Sequence, residues 1–220
     1  MNAADLIQSI RSDLAPIERR LTKHPFVERL QRGGPPLERL RPLAGEQYHI
    51  ISADLRSVAH LVSRFGGGGA RDFFLDVLAG ERTALANLMP FAEALGMSSR
   101  DLALYEPVPG AHAYTAYMAY LALYASDAEV AAAYLVNFPA WGENCGRLAR
   151  AFRERYGLTE AQTAFFDFFA APNPGFEPAA LAVIQAKLDA GWPIHLIRRA
   201  ARLLQGYELL FWDTLEEITR

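Results

Sequence analysis

Apolar residues recur along the chain at spacings of three and four, while alternating Val, Ile and Thr runs and Asn-Gly hairpin signals are missing. That pattern predicts a nearly all-helical fold. Leu6, Ile10, Leu14, Ile17 and Leu21 make a first stripe, with Pro16 predicting a break or bend inside it. His24-Pro25-Phe26 opens a second, short helix that Gly33-Gly34-Pro35-Pro36 ends. A longer helix is expected from Leu37 to Phe65, with a possible bend near Pro42, and the glycines at 66–69 stop it. Those glycines follow no strand and precede no Gly-Lys-Ser/Thr, so they read as a turn and not as a phosphate loop.

Further helices are expected from Arg71 to Leu95, across the stretch from His112 to Phe152, around the Phe165 to Phe169 cluster, up to Ala190, and from about Pro193 to Ile218. Long helices with short connections bury their stripes against one another, so the expected architecture is an all-α bundle forming one domain over 1–220. No internal repeat or disordered segment interrupts it.

Totals then exclude several functions. A formal charge of −3 and a pI near 6.0 give no field to hold a nucleic-acid backbone or an anionic membrane. The longest apolar run, Ala113 to Ala125, is too short to span a bilayer. One cysteine permits no internal disulfide and no Cys-rich metal site, and with no export signal in the N-terminal stretch the setting expected is a reducing cytoplasm.

The stretch from His112 to Phe152 is where chemistry is expected. Tyr114, Tyr117, Trp141, Glu143 and Cys145 put polar or reactive atoms into a segment built mainly of Ala, Leu, Val and Phe. Glu143 in AWGENCG has few charges before it; a buried carboxylate there would need a donor, a raised pKa or solvent, and would suit general acid/base work if it faced a pocket. Glu208 in GYELLFW follows the same logic on the last helix. Cys145 has no neighbouring Lys or His to activate it and reads as a small buried residue. Glu46 and His49 form one Glu-x-x-His pair, the spacing used twice in di-iron bundles; with Glu81 they make the only candidate metal set, and a second such pair is missing.

At HPFVERLQRGG, LMPFAEALGMSSRDL, AYTAYM, FPAWGENCGRL and YELLFW, the order and spacing of residues resemble the TenA/THI-4/PqqC superfamily. The resemblance covers most of the chain and implies the haem-oxygenase-like helical bundle, a homodimer or homotetramer, and a pocket for a small planar heterocyclic ligand. It also implies an activity of the thiaminase type, hydrolysis of an aminopyrimidine at a C–N bond, or the oxygen-using chemistry of PqqC. No cofactor is expected for the hydrolase; a metal-dependent oxidase and a non-catalytic ligand-binding protein are the alternatives.

Matched residue by residue, the family's pocket tyrosine falls on Tyr114 and its C-terminal catalytic glutamate on Glu208. Its early pocket aspartate falls on Asp54 or the adjacent Leu55. The nucleophilic cysteine, placed two residues before the motif tryptophan, falls on Pro139, and the tyrosine two after it falls on Glu143. Cys145 would point about 120° away from position 139 and Glu143 only about 40° away, so Glu143 is expected to take the pocket-facing row. Glu208 and Glu143 are thus the expected catalytic pair, with Tyr114, Tyr117, Tyr48, Trp141 and Asp54 as substrate contacts.

Overall fold

The computed structural model describes all 220 residues and contains ten α-helices, one 3-10 turn and no strand. The helices are α1 Ala3–Thr22, α2 Pro25–Gln31, α3 Arg41–Arg64, α4 Gly68–Ala94 and α5 Ser99–Leu104, followed by α6 Pro109–Tyr124, α7 Asp127–Tyr156, α8 Glu160–Ala170, α9 Phe176–Asp189 and α10 Ile194–Ile218. The 3-10 turn, Leu37–Leu40, takes the first residues of the expected Leu37 to Phe65 helix, and α3 begins where Pro42 can sit in its first turn. None of the helices is long and apolar enough to cross a membrane.

Local chemistry explains most boundaries. Ser98, Ser126 and Thr159 each form a reciprocal capping box with the residue three positions on, satisfying the first free N–H groups of α5, α7 and α8. His24 caps α2 by accepting from the Phe26 N–H through Nδ1, while its Nε2 lies 3.0 Å from Asp213. Gly157 ends α7 in the left-handed region (φ +71°), where a Cβ would be strained.

Of the break or bend expected at Pro16, the break does not occur, and α1 runs through it. The carbonyl it deprives of a donor belongs to Ser12, and both residues are exposed, on the side of α1 open to solvent. Pro139 is likewise accommodated inside α7: the carbonyl of Leu135, four residues earlier, accepts from Arg11 Nη2 at 3.2 Å. Both prolines face outward.

The bundle buries two apolar clusters of thirty residues each. One gathers α1, α6, the first half of α7 and α9; the other gathers α2, the start of α3, the second half of α7 and α8. Tyr114 of α6 packs on both, which puts it at their seam. Around that seam α3 packs against α4 and α6, α10 against α6 and α7, and α8 against α4 and α7. The short linker before α6 is pinned by Glu46, whose Oε1 accepts from the Tyr105 hydroxyl (3.0 Å) and the Val108 N–H (2.8 Å). Position 45 must be glycine for this to work, because a Cβ there would lie 2.5 Å from the Tyr105 ring.

Candidate functional site

An internal cavity opens at the seam and draws its lining from six helices. The row Gln47, Ile50, Ile51, Asp54 comes from α3 and the row Tyr134, Asn137, Phe138, Trp141 from α7, each at spacings of three, four and seven that keep it on one helical face. Glu81 enters from α4, Tyr114 from α6, Phe169 from α8, and Glu208 with Phe211 from α10. The cavity volume is about 50 Å³, room for about four waters and less than the ~150 Å³ that holds a benzene ring. A ring-sized ligand therefore needs lining side chains to give way. Tyr114, Phe138 and Phe169 keep the most accessible surface of the set.

The polar groups divide into two sets. In the first, Glu208 is 2% exposed and accepts from Trp212 Nε1 at 3.0 Å through one oxygen and from the Asn137 amide through the other. Asn137 Nδ2 also donates to Gln205 (2.9 Å), and its carbonyl accepts from the Tyr114 hydroxyl (3.2 Å). Burial pushes the Glu208 carboxyl up to about 7, against the two hydrogen bonds, which favour its charged form. Burial beside the acids holds the Tyr114 phenol well above its ordinary value.

In the second set, Asp54 is 4% exposed and accepts from the Thr115 hydroxyl at 2.8 Å. Glu81, 9% exposed, has no hydrogen-bonding partner; burial and then the nearby Asp54 charge push it up to about 8. Asp54 itself rises to about 7 through burial. The hydroxyl of Tyr134, whose residue is 1% exposed, is also unpartnered. No Lys, Arg or His lines the cavity.

Of the residues expected from sequence, Glu208, Tyr114, Asp54 and Trp141 meet in this cavity. Glu143 does not. It is exposed, and so is Pro139 one turn before it, because the cavity-facing row of α7 runs through 134, 137, 138 and 141. Counting from Pro139 therefore selected the solvent side, and the residue that α7 presents to Glu208 is Asn137. Tyr117 is also elsewhere, with its ring 5.0 Å from Tyr207 and 5.8 Å from Tyr120. Tyr48 packs edge-on against His49 at 5.4 Å and is outside the lining.

Glu46 and His49 are committed to structure, the first to Tyr105 and Val108, the second to the Leu102 carbonyl at 3.1 Å. Glu81 lies apart from them in the cavity, and nowhere do three or more His, Cys, Asp or Glu side chains converge as they would to hold a metal ion. Cys145 is fully buried outside the lining, and burial raises its thiol well above the ordinary value.

Sequence reasoning missed Asn137, Tyr134 and Gln47, and assigned Glu81 to a metal set. The signals were present: Trp141 minus four and minus seven gives Asn137 and Tyr134, and Glu81 interrupts the buried row Phe74, Val77, Ala84, Leu88 of α4.

The same helical arrangement occurs in solved structures. A TenA homologue from Pyrococcus horikoshii OT3 superposes with a TM-score of 0.76 at 18% identity, covering 97% of this chain and 99% of that one. A domain with a haem-oxygenase-like fold from Shewanella denitrificans OS217 gives 0.72 at 15% identity, covering 99% and 93%. A candidate TenA-like thiaminase from Sulfolobus solfataricus P2 gives 0.68 at 16%, covering 99% and 96%. No curated protein matches the chain in sequence. These likenesses identify the fold as the haem-oxygenase-like all-α bundle. Since residues 11–217 match the TENA/THI-4/PQQC family, nearly the whole chain, this protein belongs to that family.

Proposed function

We propose that the chain is a TenA-like small-molecule enzyme that hydrolyses a C–N bond in an aminopyrimidine or a related planar heterocycle, a reaction of the thiamine-salvage type. The observation that carries this reading is Glu208: a buried carboxyl poised near neutrality at the wall of an aromatic cavity. Family membership and the Sulfolobus relative's description as a candidate thiaminase support the reaction class.

The route differs from covalent catalysis, because α7 offers Asn137 where a nucleophile would face Glu208. Water attacks the carbon directly. A C–O bond forms as the C–N bond breaks, and one proton passes from the attacking water to the departing nitrogen by way of Glu208. Tyr114, which donates to Asn137, and Asn137, which donates to Glu208, orient the ring. Trp141 supplies an apolar wall.

Asn137 also favours a second reading, a ligand-binding protein without catalysis. Incubation of the purified chain with aminopyrimidines, read as ammonia release, separates the two. Release with formation of the hydroxyl product supports the hydrolase; binding without release supports the binder; no binding contradicts both.

An oxygen-using oxidoreductase of the PqqC type is less well supported, since an acidic substrate would meet three carboxyl groups and no basic side chain. We further propose a homodimer or homotetramer. α6 carries no Lys, Arg, Asp or Glu and leaves Tyr120, Leu123 and Tyr124 exposed, an apolar face suited to a second copy. A single 24.4 kDa species in sedimentation would contradict it. A cytoplasmic setting fits the one buried thiol.

A further inference from the structure

The hydrolase reading uses Glu208, Asn137 and Tyr114 and leaves the other polar set of the cavity without a task. Glu81 is the informative member. Glu81 is about nine-tenths buried as a residue and lines the cavity with a carboxyl that has no hydrogen-bonding partner, an arrangement that costs stability unless something in the cavity satisfies it. The Tyr134 hydroxyl, fully buried and unpartnered, lines the same space. Asp54 on α3 is close enough to act on the charge of Glu81. Tyr134 on α7 lines the same cavity, and after burial it is Asp54, Glu81 and Tyr114 that raise its phenol.

We propose that Glu81, Asp54 and the Tyr134 hydroxyl form a cation subsite that receives an amidinium or protonated amine on a planar ligand whose other end meets Asn137 and Glu208. This deepens the proposed function and rests on its claim that the cavity binds a ring. A carboxylate formed there makes charge-assisted hydrogen bonds to the positively charged nitrogen group, the other acid's carbonyl oxygen accepts another N–H, and the phenol oxygen accepts a further one. An anion at the same place would be buried with no basic side chain to offset its charge.

The ionisable groups facing Glu81 across the cavity are Asp54 from α3, Tyr114 from α6, Tyr134 from α7 and Glu208 from α10. With the site empty, burial keeps Glu81 largely protonated and Asp54 about half protonated at neutral pH. A cationic ligand converts one of them to carboxylate, and the displaced proton goes to solvent. Binding is therefore expected to release a proton.

Benzamidine, benzamide and benzoate test this, being planar rings of one size with a cationic, a neutral and an anionic head. Calorimetry on the full chain at pH 7 is expected to give benzamidine an affinity about tenfold or more above benzamide. Benzoate should not bind, and benzamidine should release protons, seen as a heat that varies with the buffer. Glu81→Gln should bring benzamidine down to the affinity of benzamide while benzamide still binds. Equal affinities in the native protein, or a preference that survives Glu81→Gln and disappears in Glu208→Gln, would overturn the subsite and leave the ring-binding cavity standing. If neither benzamidine nor benzamide binds, the cavity reading falls and the subsite falls with it.

Discussion

Glu208→Gln is expected to lower kcat for C–N hydrolysis by roughly 100- to 10,000-fold, the range over which a positioned acid or base contributes. The substitution keeps the size of the side chain and an oxygen for Trp212 Nε1, so packing around the fully buried Trp212 is preserved. What it removes is the ability to take a proton and give it back. KM should change little by comparison, because ring binding depends on Tyr114, Trp141 and their neighbours. Glu143→Gln is the matched control: that carboxylate is in solvent on the outer row of α7, and turnover should be unaffected. Steady-state kinetics of both variants on the aminopyrimidine that the native protein turns over decides the point. An active Glu208→Gln enzyme would remove the mechanism.

The second large effect is on stability. Asp54, Glu81 and Glu208 are raised in the folded protein, to about 7, 8 and 7, from ordinary values of 3.8, 4.5 and 4.5. Below about pH 3 each is protonated whether the chain is folded or not, and burial then carries no ionic penalty. As pH rises, the unfolded chain gives up these protons first, so the folded state binds more protons and stability falls until the folded values are passed near pH 8. One acid displaced by three units corresponds to about 4 kcal/mol.

The melting temperature is accordingly expected to fall between pH 5 and pH 8, on the order of 10 °C for a few kcal/mol in a chain of this size. Glu81→Gln, which cannot ionise, should flatten that slope and melt higher than the native protein at pH 8. A flat profile, or a Glu81→Gln protein less stable at pH 8, would contradict the burial of an unpaired acid.

The helices were legible because burial in this bundle follows the three-and-four spacing almost everywhere; α4, α7 and α10 carry long apolar rows with few interruptions. The exceptions have physical causes. Pro16 was expected to break or bend α1, but whether a proline stops a helix depends on where the freed carbonyl points, and sequence does not reveal that. Glu208 could be found because an acid inside an apolar row conflicts with its surroundings, whereas Asp54 was reached only through the family match, which left it beside Leu55. Glu81 makes the same conflict in α4 and was legible in principle, but its Asp54 partner lies on another helix and appears only when α3 and α4 pack.

Glu143 was misplaced by a register error. The match anchored on Trp141 chose position 139 as pocket-facing, whereas Trp141 itself faces the cavity, and stepping back one turn from it reaches Asn137. A shift of two residues turns a helix by about 200°, enough to exchange the inner and outer faces.

The proposed chemistry depends on carboxyl groups held inside the bundle and poised near neutral pH. Carbon-13 NMR of the side-chain carboxyls, titrated from pH 4 to pH 9 in the native protein and in the Glu208→Gln and Glu81→Gln variants, measures this directly. Glutamate resonances with midpoints of about 7 and about 8, each lost in its own variant, are the expected result. Every glutamate titrating below about pH 5.5, as exposed carboxylates do, would show that the cavity does not hold the acids this chemistry requires.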